Sequence, residues 1–431
     1  MMSRAVRLRR LLTASLTAGM FLFTASAGAA QSGITVTVQD NYQADYGVTI
    51  PFTRSPRTTD YTFSLYEGGS AAGTPAVSAK VEMTAAQEDV YLPLAYDITG
   101  PQSYTLKIEA RPLADRIGTD MAAAREFPFT TKPTCGCAAG TAGAFYRGNG
   151  SAADPFYVGS QQQLAHVGAH NGGQFKQARD VDLAGNPWTS LSSDGIVYDG
   201  GGHRIKNLKT DGGVGDAGLW VLLSNSTVKN LAIVGGEVRG SIIGGLAGKA
   251  SSSTVQGCYT DVSMVSNVDN VYGHAISGGL IGASYGTVVE DCYALGKQSV
   301  TTAPYANYQG GIIGYTQNDS AISRCYFAGI LSAGNARYLG GTLGVQDRRF
   351  GFSGDRIGSC YWLVGTAYGI GTYMPPTGAL GDPFNSGTQG LGAAQLASAS
   401  SFSSWNFENV WRMDSGAGRP VLRVFDNPKD S

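Results

Sequence analysis

The sequence predicts an all-β chain in which a right-handed parallel β-helix, or solenoid, follows an immunoglobulin-like β-sandwich. Two observations predict the β-helix: a Cys-Tyr pair occurs four times at a nearly constant interval, and a glycine-rich motif precedes every copy. A third observation predicts the sandwich, because residues 31–132 contain several short runs in which polar and apolar residues alternate.

The repeat is defined by cysteines that lie 34, 33 and 35 residues apart, each with a β-branched aliphatic residue three positions before it. Upstream of each Cys-Tyr pair lies a Gly-Gly-x-x-Gly motif. A fixed period of this length indicates one supersecondary unit that is repeated along the chain. The positions predicted to be structural are the cysteines and the first glycine of each motif: Cys258, Cys292, Cys325, Cys360, Gly244, Gly278, Gly310 and Gly340.

Each repeat is predicted to consist of short strands, because Gly, Val, Ile, Thr and Tyr fill its short ordered runs. Weaker copies at 205–208 and 228–231, with Leu in place of Cys, extend the pattern to six turns. Parallel strands that recur once per turn without helical crossovers stack as a β-solenoid. The fourth glycine motif has Thr342 where the others have Leu or Ile, which predicts a less regular last turn.

One leg of each turn is nearly constant in length and the other varies. From the first glycine of the motif to the cysteine there are 14, 14, 15 and 20 residues, and from the cysteine to the next motif 20, 18 and 15. Because equivalent positions stack, insertions at 263–277, 297–309 and 331–339 emerge on one face, which predicts a binding surface. The alternative is that the tyrosines in these insertions pack their own loops onto the solenoid. The side chains predicted to bind are Tyr272, His274, Tyr305, Asn307, Tyr308 and Tyr338.

The repeats resemble the GLUG motif of secreted and surface bacterial proteins over most of residues 151–425. The resemblance includes a lead-in segment, seen in Asp154-Pro155-Phe156-Tyr157 and in the run 199–205, and a closing segment at 405–422. It implies a β-helix of the kind found in adhesins, large surface proteins and some bacterial immunoglobulin A peptidases. The resemblance is specific for architecture and not for activity.

Residues 1–30 have the composition of a secretory signal peptide: arginines come first, then an apolar run at 11–23, then Ala27-Gly28-Ala29. The alternative is a single membrane anchor, for which the apolar run is short. We therefore expect cleavage, a secreted or cell-surface location and no membrane insertion afterwards. Residues 426–431 are predicted to form a short tail.

The segment 133–150 is rich in Gly, Ala, Thr and Pro and is predicted to be a linker between the two domains. It contains Cys135 and Cys137, whose single intervening residue would strain a disulfide. A local disulfide or two free thiols are the favoured interpretations. Metal binding and pairing with another chain are the alternatives.

Both ends of a β-helix need cover, because terminal turns otherwise expose apolar side chains and unpaired strand edges. Ser160 and Gln163 have the spacing of a capping box, which predicts a short helix with Leu164 and Val167 on one face. This helix is expected to plug the first end of the solenoid. The segment 405–422 is expected to cap the other end.

The composition provides no strongly basic surface, since the net charge is -1 and 15% of residues are charged. Nucleic acid is therefore not an expected partner. His166 and His170 have the four-residue spacing of metal ligands, but no Glu accompanies them as in His-Glu-x-x-His. No metal site and no cofactor are predicted.

Carboxylates are the side chains that a glycosidase or polysaccharide lyase would use, and three of them stand near the start of the repeats. These are Asp180, Asp182 and Asp199, in the sequences Asp-x-Asp-Leu and Asp-Gly-Gly-Gly. Such sequences favour turns in which the carboxylate accepts hydrogen bonds from backbone amides. We therefore expect a structural role for them.

The four repeated cysteines are predicted to be buried thiols, because stacked strands lie about 4.8 Å apart whereas a disulfide needs Cβ atoms about 3.8 Å apart. Serine at one of these positions is expected to destabilise the stack, since its hydroxyl would lack a partner. The tyrosines that follow the cysteines are predicted to point outward. They would then pack on the sheet or stack on sugars.

Together these features predict a secreted or cell-surface adhesin or scaffold that binds host or matrix glycans or proteins. The chain is predicted not to be an enzyme, because the repeats carry no column of acidic residues at equivalent positions. The alternative is an extracellular carbohydrate-active enzyme, a polysaccharide lyase or glycoside hydrolase, on the same fold.

Overall fold

The chain divides into two compact units, Met1–Asn149 and Gly150–Ser431. The predicted signal peptide lies outside the described residues, and within them no helix is long and apolar enough to cross a membrane. The computed structural model describes residues 37–38, 47–83, 85–93, 103–112, 122–210, 213, 215–267, 274–300, 306–332, 338–347, 356–364, 368–374, 385–386 and 388–426.

The first unit contains two antiparallel sheets that share one apolar core. Alternating residues build this core, since Phe52 from one sheet packs edge-on against Tyr61 and Phe63 from the other, at centroid distances of 4.9 and 5.2 Å. Its immunoglobulin-like topology stays a prediction. The strands, in sheet order, are Thr37–Val38, Gly47–Thr53 and Gln87–Pro93, then Val77–Glu82, Asp60–Glu67, Ser103–Arg111 and Ala123–Thr130.

The second unit is a parallel β-solenoid, which confirms the predicted fold class. Three parallel sheets, named I, II and III, run along it. Sheet I contains Leu191–Asp194, Trp220–Ser224, Ile242–Gly244, Ala247–Ser251, His274–Gly278, Ile281–Tyr285, Ala306–Gly310, Ile313–Gln317, Tyr338–Asp347 and Tyr368–Met374. Sheet II contains Phe156–Val158, Gln174–Gln177, Val197–Asp199, Thr227–Lys229, Thr254–Gln256, Val288–Glu290, Ala321–Ser323, Arg356–Gly358 and Asn385–Ser386. Sheet III contains Val181–Asp182, Pro187–Trp188, Arg204–Thr210, Ala232–Gly240, Tyr259–Ser266, Tyr293–Ala294, Lys297–Val300, Tyr326–Phe327, Ile330–Ser332, Tyr361–Leu363 and Gln389–Leu391.

Residues in the left-handed backbone conformation, with positive φ, form the corners on both sides of the short sheet II strands. Gly, Asn and Asp adopt this conformation at least cost, and they occupy most of these corners. The corners between sheets I and II are Asn225, Ser252, Gly286 and Asn318, with positive φ angles. The corners between sheets II and III are Asn230, Gly257, Asp291, Arg324 and Ser359, also with positive φ.

A buried ladder of side chains follows each set of corners. After the first set, Ile196 N donates to Ser226 Oγ at 3.2 Å and Ser226 N donates to Ser253 Oγ at 3.1 Å, so each hydroxyl accepts an amide of the preceding turn. After the second set the ladder consists of the four repeated cysteines, which are free and fully buried. In both ladders the side chain belongs to the residue directly after the corner, as Ser226 follows Asn225 and Cys258 follows Gly257.

The cysteine ladder corrects one expectation. Cys292 Sγ lies 3.1 Å from Glu290 O and 3.7 Å from Val255 O, and it accepts a hydrogen bond from Cys258 N at 3.4 Å. A serine hydroxyl would meet the same partners, as it does in the hydroxyl ladder. The expectation that serine would lack a partner is therefore wrong.

The aliphatic residues before the cysteines stack in register along sheet II, from Val228 through Val255, Val289 and Ile322 to Ile357. The partner of Val228 in the preceding turn is Tyr198. The weaker repeat at 205–208 predicts Ile205 at this position, and that prediction is wrong. Ile205 pairs with Ile233 in sheet III, because the local Ile-Lys-Asn-Leu pattern fits the alternation of either sheet.

At the glycine motif, backbone atoms of sheet I approach one another closely. A Cβ atom at Gly278 would lie 1.9 Å from Ile281 O, so only glycine fits this approach. In the turn with Thr342 the two sheet I strands join into the single strand Tyr338–Asp347, in agreement with the predicted irregularity. Thr342 Oγ1 is buried and has no hydrogen-bond partner among the described residues.

The predicted capping helix is present as α1, Gln161–His166. Ser160 Oγ accepts from Gln163 N at 3.2 Å, and Gln163 Oε1 accepts from Gly159 N at 2.9 Å. A 3-10 helix, Val167–Ala169, follows directly. Leu164 and Val167 are fully buried, as the spacing predicts.

The closing segment lies along the side of the solenoid and not over its end, which corrects the predicted second cap. We name residues 393–425 the C-terminal strap. It packs on the outer face of sheet III over successive turns, because its apolar residues match the column of tyrosines there. The strap contains α2 (Ala393–Leu396), 3-10 helices Ala399–Ser401 and Arg423–Phe425, and a hairpin of Trp411–Asp414 with Arg419–Leu422.

Candidate functional site

The tyrosines that follow the cysteines form a stacked ladder on sheet III. The rings of Tyr259 and Tyr293 are 4.6 Å apart with an interplanar angle of 2°, and those of Tyr293 and Tyr326 are 5.0 Å apart at 12°. The C-terminal strap covers this ladder: Tyr326 Oη donates to Pro420 O at 2.7 Å, and Tyr326 and Tyr361 are almost fully buried. The ladder therefore packs against the chain itself and offers no open sugar-stacking surface.

The predicted binding insertions all lie at the junction between sheets III and I. On one side Met264–Ser266 pairs in register with Gln298–Val300, and on the other His274–Gly278 pairs with Ala306–Gly310. Insertions in successive turns consequently begin and end on the same edge of the solenoid. This is the arrangement that the spacing of the repeats predicts.

The six predicted binding residues differ in their surroundings. Tyr272 and Tyr305 lie outside the described residues, and His274 begins a sheet I strand. Asn307 and Tyr308 are only 1% and 7% exposed. Tyr338 is half-buried, with its ring 5.3 Å from that of Tyr308.

The described tyrosines belong to a larger group on sheet I, which we name the tyrosine patch: Tyr285, Tyr308, Tyr315 and Tyr338. The ring of Tyr315 lies 6.1 Å from that of Tyr308, nearly parallel at 19°, and 6.1 Å from that of Tyr285. Ile276 and Val345 pack in the same cluster as Tyr308 and Tyr315. Three successive turns therefore contribute to one aromatic surface.

This patch lies on the outer side of sheet I. Tyr315 aligns through Ala283 with Lys249 of an earlier turn, and Lys249 Nζ forms an ion pair with Asp216 Oδ2 at 2.7 Å. The Lys249 side chain is about one-third exposed, which shows that the column points outward, while Ala283 and Val345 in the same column are fully covered. The patch thus combines aromatic rings with a charged pair at its margin.

Polar groups orient the phenols of the patch. Tyr315 Oη donates to Asp347 Oδ2 at 2.7 Å, and Asp347 is 1% exposed. Burial raises the pKa of Tyr285, near Lys249 and Asp216, so its phenol stays protonated at neutral pH. Tyr285, Tyr315 and Tyr338 are each half-buried.

The sequence analysis did not select Tyr285 and Tyr315. Both follow a Gly-Gly-x-x-Gly motif by at most three residues, on the leg that was predicted to maintain register. A signal was available, since two of the four motifs have a tyrosine shortly after the last glycine. That signal has meaning only once the turns are stacked.

Two of the three candidate carboxylates hold turns, while Asp180 accepts from Arg204 N at 2.9 Å in the next turn of the solenoid. Asp182 Oδ1 accepts from Ala184 N at 2.7 Å and from Asn207 Nδ2 at 2.8 Å. Asp199 Oδ1 likewise accepts from Gly201 N and Asn230 Nδ2, each at 3.0 Å. The hydrogen bond from Asn207 holds the pKa of Asp182 below its usual value, which is unsuited to a general acid.

Comparisons with known proteins concern parts of the chain and its fold. No protein-family model matches, so the resemblance to GLUG repeats stays a prediction. The chain is similar to the crystal structure of a candidate immunoglobulin A1 protease from Bacteroides ovatus, at 19% identity and a TM-score of 0.43, over 64% of this chain and 94% of that one. It is also similar to a structure named IgA1 Protease, at 15% identity and a TM-score of 0.36, over 75% of this chain and 22% of that one.

A curated relative is halomucin of Haloquadratum walsbyi, 29% identical over 158 residues, which is 32% of this chain and 2% of the relative. The chain therefore spans a very small part of that protein. These comparisons assign no activity to this chain.

The prediction that the chain is not an enzyme requires correction. It rested on the repeat architecture and on the missing column of acidic residues, yet the two similar structures carry the names of proteases. A fold by itself does not decide whether a chain is a catalyst.

Proposed function

We propose that this chain is an exported protein of the cell surface or extracellular space that binds host or matrix glycans, or the proteins that carry them, through the tyrosine patch. The observation that carries the proposal is the convergence of Tyr285, Tyr315 and Tyr338 from three turns onto the outer side of sheet I. The signal-peptide pattern of residues 1–30 supports export.

The chemistry of the patch suits such ligands. Tyrosine rings offer a large contact area and lose little side-chain entropy on binding, while the phenol oxygens form directional hydrogen bonds. The patch has a rigid base, because its tyrosines stand on paired strands: Tyr308 pairs with Tyr338, and Tyr315 pairs with Val345.

Binding of the purified full chain to a glycan array and to mucin-coated surfaces tests the proposal. Tyr315→Ala and Tyr338→Ala are expected to weaken binding at least about tenfold, equivalent to about 1.4 kcal/mol. Circular dichroism confirms that each variant folds. The same glycans are also assayed for reducing-end release, so that any turnover is recorded together with binding.

The matched control is Tyr66→Ala, a half-buried tyrosine in the first unit. It is expected to leave binding unchanged. Equal loss in Tyr66→Ala and the patch variants, or full binding by folded patch variants, would place the binding surface elsewhere.

A further inference from the structure

The start of the solenoid carries a histidine pair that the proposed function does not use. α1 runs directly into the 3-10 helix Val167–Ala169; His166 lies at the junction and His170 ends the segment. This spacing puts both rings on one side of the helical segment. Their Nε2 atoms are 3.0 Å apart and their ring centroids 4.8 Å apart.

Packing holds the pair in this arrangement. Leu164 and Val167 anchor the segment in the core, and the ring of Phe156 lies 5.5 Å from that of His170. Gly173 N donates to His170 O at 3.2 Å, which fixes the backbone after the second histidine. The convergence of the two Nε2 atoms is therefore built into the fold of this end.

Both imidazoles are suited to act as ligands. Each imidazole offers one nitrogen lone pair to an ion when its ring is neutral, and the Nε2 atoms of the two rings lie 3.0 Å apart. Neutral imidazole is the form that binds metal ions.

We propose that His166 and His170 form a bidentate clamp for a divalent ion of the zinc class, bound through both Nε2 atoms. Two Zn–N bonds of about 2.0–2.1 Å at a tetrahedral angle place the nitrogens about 3.3–3.4 Å apart. The observed separation of 3.0 Å is within about 0.4 Å of that value, so a small ring rotation admits the ion. Water or further donors complete the coordination.

The clamp differs from the motif considered in the sequence analysis. Without the Glu that serves as general base in His-Glu-x-x-His, the pair does not form that zinc-peptidase motif. The missing Glu does not exclude a structural ion, which needs ligands and no base. An ion at this position would link the last residue of α1 to the residue that ends the 3-10 helix Val167–Ala169.

Cobalt titration of the purified full chain, after removal of metal by a chelator, tests the clamp. We expect visible d–d absorption that zinc displaces, and a rise in the melting temperature when zinc is added. His166→Gln and His170→Gln should each weaken zinc affinity at least about tenfold and abolish the zinc-dependent rise. The shape of the cobalt spectrum identifies the remaining donors.

His274→Gln is the matched control, since it removes a histidine from sheet I and leaves α1 unchanged. It should bind cobalt and zinc like the unchanged chain. Unaltered binding in both clamp variants, or no binding by the unchanged chain at millimolar zinc, would show that the 3.0 Å contact is a direct imidazole hydrogen bond. Circular dichroism verifies folding, so that loss of binding is not loss of structure.

Discussion

Trp411 Nε1 donates a hydrogen bond to Asp291 Oδ1 at 3.1 Å, between residues 120 positions apart in the sequence. Asp291 is a left-handed corner of the solenoid and also pairs with Arg324 at 2.8 Å. Trp411 is fully buried in the C-terminal strap. This contact fastens the strap to the repeats, in addition to the apolar packing over the tyrosine ladder.

Trp411→Phe should lower the free energy of unfolding by about 1.5–3 kcal/mol, because a hydrogen bond to a buried carboxylate is lost. Urea denaturation followed by circular dichroism measures the change. Trp362→Phe is the control, since this half-buried indole lies outside the strap cluster. Equal destabilisation by the two substitutions would show that the hydrogen bond between Trp411 and Asp291 adds no stability of its own.

Cys292→Ser should change the free energy of unfolding by less than about 1 kcal/mol. The serine hydroxyl can donate to the same backbone carbonyls as the thiol and still accept a hydrogen bond from Cys258 N. Cys292→Val should cost about 1–3 kcal/mol, since it leaves that amide without an acceptor. Chemical denaturation of both variants tests this order. A serine variant less stable than the valine variant would contradict it.

The four ladder thiols should resist alkylation in the native chain and react after unfolding without reductant. All four are fully buried, which denies the reagent access, and burial also raises the pKa of Cys292 and Cys360 well above the usual value, which suppresses their thiolates. Mass spectrometry of labelled peptides measures the outcome. Ladder cysteines found already paired would refute the free-thiol state.

Thr342→Val should stabilise the chain by about 1 kcal/mol, because it replaces a buried hydroxyl that lacks a partner among the described residues with a methyl group of similar size. Thr316→Val, at another buried position in sheet I, is the comparison. The midpoint of urea unfolding reports both changes. Destabilisation by Thr342→Val would mean that its hydroxyl has a polar partner after all.

Lowering the pH should reduce the stability of the first turns of the solenoid. Burial favours the neutral form of Asp180, but Lys206 Nζ at 2.7 Å and Arg204 N at 2.9 Å outweigh it and hold the pKa of Asp180 below its usual value. A carboxyl with a depressed folded-state pKa stabilises the fold above its unfolded pKa of about 3.9, and this contribution is lost as pH falls through the folded value. Asp180→Asn should therefore be less stable than the unchanged chain at pH 6. The difference should shrink below about pH 4, as urea titrations at each pH would show.

Much of the fold could be predicted because its signals are local and repeated. The cysteine period, the aliphatic residue before each cysteine and the glycine motif each recur at equivalent positions, and stacking places equivalent positions in contact. The N-cap at Ser160 is similarly local and accepts from Gln163 N as its spacing predicts, whereas the Gln163 side chain accepts from Gly159 N and not from Ser160 N. The position of Ile205 was misassigned because a four-residue pattern without a cysteine fits either of two sheets.

The sequence by itself determined that this chain is a β-solenoid with buried thiols at its corners, since both follow from periodicity and burial. Only the tertiary structure decided that the C-terminal strap covers the tyrosine ladder and that Tyr285, Tyr315 and Tyr338 meet on sheet I. The physical reason is that these contacts join residues from different turns, or from the strap and the repeats. Their formation depends on which exposed aromatic surfaces match once the turns are stacked, and no local pattern encodes that match.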